Sequence, residues 1–487
     1  MRRFRLIYLA PALALIALLA WAFASPVGSS PDDDFHLASI WCANSANQSE
    51  CLPGDSPSTR TVAPALLYSA CYSHQPTESA ACQVSHFEND TKPTLISSRG
   101  NFQGSYPPVY YAVMSIFAGS NIELSALVMR IFTIVLFVGL TTALAILLPP
   151  GRRPTLVWGW VLSTVPLGLF LLSSNNPSAW AIIGVGSSWI ALLGYFETEG
   201  RRRVALGALF GLSMVIAAGS RADSALYAIL GVAVVGVLTF ARTRAYLLSA
   251  ILPIAFSVLA AVFFLTSQQV SVVSSGLGDG TVDPTVTPPS TVLLIFKNLV
   301  EIPALLAGVF GTWGLGWFDT ELPAIVAFGA VVAFVGVAFA GFATMSRRKL
   351  IALAVVAAAL WLLPTYILVK GMNVVGQNVQ PRYLLPLIVL FAGLAVLAIG
   401  QQRLRLSRLQ LGVVGALLVV AETMAMYTNL RRYITGTDGH DWNLDANMEW
   451  WWHMPIGPMA VLACGSLAFA GLLFVLAREV TKSDATQ

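Results

Sequence analysis

The sequence predicts an all-α polytopic membrane protein of about 12 transmembrane helices, with a long extracytoplasmic first loop and interfacial helices. Three observations carry the prediction. Of 487 residues, 56% are hydrophobic and only 11% charged, where a soluble domain carries about 25% charged residues. Apolar runs of about 20 residues, the length that spans a bilayer, recur along the whole chain. Basic residues cluster between alternate runs, as the positive-inside rule requires.

The chain opens with Arg2, Arg3 and Arg5 and an apolar run from Leu6 to Ala24. That run also looks like a secretory signal peptide, with Ala22-Phe23-Ala24 as a cleavage site. It is long enough to span and is read as helix 1. Residues 26–122 form the first outer loop and hold Cys42, Cys51, Cys71 and Cys82. Their spacing does not suit zinc, and disulfides need an oxidising compartment. Of the three possible pairings, the short loops Cys42–Cys51 and Cys71–Cys82 are expected. Free buried thiols are the alternative.

The loop ends in Tyr106-Pro107-Pro108-Val109-Tyr110-Tyr111. The apolar stretch 107–119 is too short to span and is read as an interfacial helix. Further spans are expected at 124–148, 155–173, 177–196, 204–220, 224–240, 246–266, 323–345, 350–369, 383–400, 409–427 and 456–477. The stretch 291–318 is apolar but contains Lys297 and Glu301. It is kept on the outer surface, inside a second outer segment at 267–322 whose first part, 267–290, reads as a mobile loop. A third outer loop is expected at 428–455. With this arrangement Arg2/Arg3/Arg5, Arg152/Arg153, Arg201–Arg203, Arg242/Arg244, Arg347–Lys349, Arg403/Arg405/Arg408 and Arg478/Lys482 all fall inside. They are 18 of the 28 basic residues, and both termini are then cytoplasmic. The sequons at Asn47 and Asn89 are treated as chance. The whole chain reads as one transmembrane domain.

Charge within a span needs a reason. Here the polar residues gather near one side. Arg130 lies in helix 2, Asn175 and Asn176 between helices 3 and 4, and Arg221 and Asp223 between helices 5 and 6. Arg382 and Tyr383 open helix 10, and Glu422 lies in helix 11. They share the side of the first loop and imply one polar cavity opening outward. Just beyond helix 1 comes Ser29-Ser30-Pro31-Asp32-Asp33-Asp34-Phe35-His36. Three adjacent carboxylates repel one another and raise at least one pKa, which suits a general base or a divalent-cation site. A solvated acidic turn or helix N-cap is the plainer alternative. Arg99, Arg130, Arg221, Lys297 and Arg382 are candidates for a phosphate site, because guanidinium pairs bidentately with phosphate oxygens. Structural salt bridges or headgroup contacts are the alternative for each. The chain has no Walker loop, GxGxxG, HExxH or GxSxG motif, and a net charge of +4 suggests no nucleic-acid partner.

The acidic pair after helix 1, the long first loop, the Pro-Pro-x-Tyr-Tyr opening of the surface helix and Arg382-Tyr383-Leu384-Leu385-Pro386 together resemble the GT-C superfamily of membrane glycosyltransferases. Within it, Pro31-Asp32-Asp33 with His36, Asn176-Pro177-Ser178 and Gly314-x-Gly316-Trp317-x-Asp319-Thr320 look like the bacterial DUF2142 group of membrane proteins. The group's usual Pro-Asp-Glu is Pro-Asp-Asp here, which shortens the second carboxylate's reach. The extra Asp34 leaves open which acid acts.

The resemblance implies an enzyme of the bacterial plasma membrane with its site facing outside. Its donor is a sugar on a polyprenyl phosphate, and its acceptor is a polysaccharide, glycolipid or protein of the cell envelope. The anomeric centre is inverted. Asp32 or Asp33 would be the base, with the other positioning the acceptor or a divalent cation (Mg or Mn), and His36 would orient the pair. Arg382 and Tyr383 would hold the donor phosphate, supported by Arg99, Arg130 and Arg221, with Asp34 and Lys297 as further substrate contacts. Tyr106, Tyr110 and Tyr111 would line the entrance for lipid or sugar. Two other functions fit the composition. One is a transporter or flippase of a lipid-linked or polar substrate, which the one-sided charge argues against. The other is a noncatalytic scaffold that binds a partner through the disulfide-bonded loop.

Overall fold

The computed structural model describes residues 6–44, 49–277, 290–400, 404–452 and 454–485. Among these residues, ten helices are long and apolar enough to cross a membrane. They are Leu6–Phe23, Ile122–Leu147, Pro177–Glu197, Ala222–Thr239, Arg244–Thr266, Thr291–Phe310, Ala324–Gly341, Arg347–Lys370, Arg408–Ile434 and Pro458–Glu479. Arg2, Arg3, Arg5, Arg403, Asn47 and residues 278–289 of the 267–290 loop lie outside the described residues, as does the Lys482 side chain.

The difference from twelve has local causes. The expected span 155–173 is two helices, Arg153–Ser163 and Leu167–Leu172. Pro166 separates them, because proline has no N–H to continue the ladder. The expected span 383–400 is an 11-residue helix, Leu385–Ala395, buried everywhere except Phe391. A helix that short is tolerated at membrane depth when protein surrounds it, and it packs against Arg153–Ser163 and Pro177–Glu197. The helix Gly200–Ala218 is 19 residues long, but it opens on Arg201, Arg202 and Arg203. Conversely, the segment 291–318 forms a helix, Thr291–Ala307, that with its following turn is long enough to cross.

Pro177–Glu197 is the centre of the bundle and is buried from Pro177 to Gly194. Gly184 permits this, since a Cβ there would lie 2.4 Å from the Ala217 backbone nitrogen of the neighbouring helix. The outermost helix, Arg244–Thr266, buries only Ser249, Pro253 and Ala260 and leaves residues such as Ile251, Ile254 and Val258 exposed. The centre thus packs protein against protein, while the periphery presents the apolar surface a bilayer solvates.

The first loop is folded. Cys51–Pro53, Arg60–Val62 and Leu95–Ser97 form a three-stranded antiparallel sheet in that order, with Cys51 opposite Val62 and Arg60 opposite Ser97. The expected disulfides are present, with Cα–Cα separations of 5.3 Å for Cys42–Cys51 and 6.3 Å for Cys71–Cys82. The stretch expected at the interface is a six-residue helix, Val109–Met114, followed by a 3-10 turn to Phe117. The loop expected from residue 428 starts later, because Arg408–Ile434 continues for 27 residues and meets the first loop. There Ala80 N–H donates to the Tyr433 carbonyl at 2.8 Å.

Candidate functional site

The site is mounted on the chain that leaves the first helix. From Ala22 to Gly28, seven consecutive carbonyls each accept a hydrogen bond from a distant side chain. Arg130 donates to Ala22, Ser25 and Pro26 at 2.6–2.9 Å. Trp452 donates to Phe23, Asn429 to Ala24, Tyr72 to Val27 and Trp317 to Gly28. Irregular backbone away from water must have such partners. Further on, the Asn176 amide donates to Ser30 Oγ and the Pro31 carbonyl, both at 2.9 Å. Its own oxygen caps the central helix by accepting from Ser178 N–H. Arg382 also donates to the Pro31 carbonyl, at 2.8 Å. The chain then turns through Asp32, whose φ of 65° is left-handed, into the helix Asp33–Trp41.

The turn sends the three carboxylates to different places. Asp32 faces outward. Its Oδ2 accepts from Arg382 Nη2 at 2.5 Å and its Oδ1 from Arg99 Nη2 at 3.1 Å. Burial works to raise this carboxyl, but the two guanidiniums outweigh it and hold it at about 2. Asp33 points inward and is fully buried. Its Oδ2 accepts from the Ser30 N–H at 3.2 Å, and its Oδ1 has no partner. Burial pushes it up to about 7, against the pull of Arg130. Asp34 gives both oxygens to Arg99, at 2.7 and 2.9 Å.

These arrangements decide whether a cation fits. The oxygens of Asp32 and Asp34 are engaged by guanidiniums, and Asp33 faces away from both. No group of three or more His, Cys, Asp or Glu side chains suited to a metal occurs among the described residues. The donor set does not suit a bound Mg or Mn, and the chemistry below uses none. His36 does not bridge the aspartates either. Its Nδ1 lies 2.9 Å from the Tyr111 hydroxyl, and its ring packs edge-on against Phe35 and Tyr106. Burial keeps it well below the ordinary imidazole range and therefore neutral.

Two buried arginines flank one tyrosine beside Asp32. Arg221 lies 4.5 Å from the centre of the Tyr383 ring and Arg382 5.3 Å from it, distances at which cation–π attraction acts. Arg221 is held bidentately by Asp223 at 2.8 and 2.9 Å and reaches the Tyr106 ring at 5.7 Å. Arg221 Nη1 and Arg382 Nε are buried without an acceptor. Asp32 and Tyr383 line an open cleft of about 690 Å³, together with Trp313, Phe318, Asn378 and Gln380.

Four expected substrate contacts, Arg130, Lys297, Tyr106 and Tyr110, are not among the residues lining this cleft. Arg130 is wholly buried and committed to carbonyls, so it positions the turn. Lys297 is on the exposed side of Thr291–Ala307, whose buried stripe is Leu294, Asn298, Ile302 and Leu305. Tyr106 joins the His36 cluster. Tyr110 is buried behind it against Trp180. Sequence reasoning gave no role to Asn176, Trp317 or Asp319, although their motifs were visible. Asp319 pairs with Arg432 at 2.9 Å in a buried bridge and accepts from the His74 N–H, which fixes the loop carrying Tyr72. Tyr72, Asn429 and Trp452 carried no signal in the sequence.

No curated protein and no solved structure matches the chain. The family model described as a predicted membrane protein, DUF2142, matches residues 15–391. That range takes in the second half of the first helix, the aspartate turn, Asn176, Trp317 and Arg382, and the chain, a membrane protein with many apolar helices, belongs to the DUF2142 family.

Proposed function

We propose that this protein is a membrane glycosyltransferase that moves a sugar from a polyprenyl phosphate to an acceptor hydroxyl, with Asp32 as general base. One observation carries the reading: a carboxylate lining a cleft is held by Arg382, which, like the neighbouring Arg221, keeps a buried donor without an acceptor. Asp33 has no access to the cleft, so the base is Asp32.

The acceptor oxygen attacks the anomeric carbon. The bond from that carbon to the phosphate oxygen breaks, and its electron pair leaves with the phosphate. The acceptor proton goes to Asp32. Attack opposite the leaving group inverts the anomeric centre. Charge grows on the phosphate as the bond breaks, and preorganised guanidiniums are the groups that stabilise it. Arg382 and Arg221, both against the Tyr383 ring, serve there. The rings of Trp313, Phe318 and Tyr383 and the amides of Asn378 and Gln380 give a sugar both apolar faces and hydrogen-bond partners. The polyprenyl tail lies along the apolar bundle.

The site faces outside, with both termini in the cytoplasm of a bacterial cell. The basic clusters at alternate helix ends support this sidedness. Thr291–Ala307 then lies along the outer surface. Its single buried stripe supports that, as does Asn298, which donates to the Asn373 carbonyl and accepts from the Val375 N–H just beyond the helix Arg347–Lys370. The acceptor is a polysaccharide, glycolipid or protein of the envelope. The test is sugar transfer from a lipid-phosphate donor in proteoliposomes. Wild-type protein should transfer and Asp32→Asn should not. Equal rates for the two would remove Asp32 from the chemistry.

A further inference from the structure

Asp32 is the candidate base, yet neither of its oxygens is free. Arg382 holds Oδ2 and Arg99 holds Oδ1. Asp34 fixes Arg99 by two further bonds, and the Pro31 carbonyl fixes Arg382. A carboxylate gripped by two guanidiniums is a poor proton acceptor, because the pairing favours its charged form. Beside it the imbalance runs the other way. Arg382 Nε and Arg221 Nη1 are buried donors with no acceptor, on guanidiniums only 3% and 5% exposed. Unpaired buried donors are costly. Both guanidiniums lie against the Tyr383 ring, and each keeps one buried donor for an entering anion.

We propose that Asp32 rests capped by Arg382 and Arg99, and that a lipid-linked phosphate uncaps it by seating on the free edges of Arg382 and Arg221. The proposal rests on the enzyme reading above and adds an order to it: donor first, acceptor second. An anion on Arg382 shares the positive charge that Asp32 had to itself. The Asp32 oxygen is loosened, turns to the cleft and becomes basic enough to accept a proton from the acceptor. After transfer the proton is on Asp32 and the departing phosphate carries one more negative charge. Arg382 then holds the phosphate and releases the neutral carboxyl. When the phosphate leaves, Asp32 gives its proton to solvent and is capped again. Arg99 is a positioning residue in this cycle, and Asp34 sets its place.

The test uses the full chain in nanodiscs with farnesyl phosphate, a short polyprenyl phosphate without sugar, and farnesol as uncharged control. Two quantities are read in the same samples. One is the shift in unfolding temperature. The other is modification of Asp32 by a water-soluble carbodiimide and an amine, located by peptide mass spectrometry. Farnesyl phosphate should raise the unfolding temperature and increase Asp32 modification about tenfold, the factor that follows from weakening its ion pairing by about 1.4 kcal/mol. Farnesol should do neither. Arg382→Gln should raise modification without any probe and abolish the response. Arg382 also holds Pro31, so its loss could disturb folding. Arg99→Gln is the second variant and should raise basal modification while keeping the response. A temperature shift with no rise in Asp32 modification overturns the uncapping and leaves the enzyme reading standing. No temperature shift and no rise overturns both. An equal response to inorganic phosphate overturns the lipid-linked ligand.

Discussion

Arg130 and Arg382 reach the same short turn from opposite sides. At the rear, Arg130 spends its guanidinium on three backbone carbonyls. At the front, Arg382 takes one carbonyl and gives its other terminal nitrogen to Asp32; the Nε of each arginine is buried without an acceptor. Each stands near one aspartate. Asp33, in the field of Arg130, is fully buried, whereas the Asp32 side chain is 34% exposed at the cleft. Neighbouring residues of the same type are thus divided by access into a supporting set and a reacting set. The left-handed backbone at Asp32 makes the division.

The comparison breaks most readily at the two aspartates. Asp32→Asn should lower sugar transfer by about 10²–10⁴, the usual contribution of a general base, and lower the unfolding temperature as well, because its pairing with Arg382 and Arg99 is lost. Asp33→Asn should retain far more activity. Equal losses in the proteoliposome assay would erase the distinction. The arginines should show the reverse on stability. Arg130→Met leaves buried carbonyls unpaired and exposes Asp33 to an uncompensated site, at about 3–5 kcal/mol. Arg382→Met should cost less stability and abolish transfer. Thermal unfolding in detergent, set beside the activity assay, separates the two.

The loop that carries Tyr72 should matter less. Replacing Cys71 and Cys82 together by Ser should cost about 2–4 kcal/mol, read from unfolding under non-reducing conditions. The smallest effect sharpens the comparison through pH. Asp33 is raised to about 7 in the folded state from 3.8, so its contribution is complete below its unfolded value and is lost as pH rises through 7. Groups around it keep one charge state across that window: Arg382 stays positive, and Tyr72 and Tyr110 stay neutral. Asp32, held at about 2, contributes throughout and is lost only in strong acid. Unfolding temperature should fall from about pH 5 to 8, and the fall should be shallower in Asp33→Asn.

Features set by neighbours in sequence were legible beforehand. The apolar runs predicted helices, and the separations of 9 and 11 residues between paired cysteines favoured short disulfide loops. Asp32, Arg99, Arg221 and Arg382 were singled out by type and by their expected common side; Arg99 and Arg382 pair with Asp32, Arg221 lies with Arg382 against the Tyr383 ring, and of the four, Asp32 lines the cleft. The bundle's interior was less legible. Hydropathy does not tell a buried helix from a lipid-facing one. Leu385–Ala395 therefore read as a full span. Tyr72, Asn429 and Trp452 were invisible because their task is to meet carbonyls hundreds of residues away in some cases, and a carbonyl has no letter in the sequence.

The seven held carbonyls from Ala22 to Gly28 have a further consequence. Their anchors come from five separate stretches of chain, so the mount of Asp32 cannot yield to fit a larger guest. Whatever adaptation the cleft permits must come from the opposite wall, where Phe318 and Asn378 have left-handed φ values of 63° and 55° and line the space with Trp313 and Gln380. Under the proposed function, the groups that would choose the sugar are thus separate from the mount that holds Asp32, and the one would change without disturbing the other.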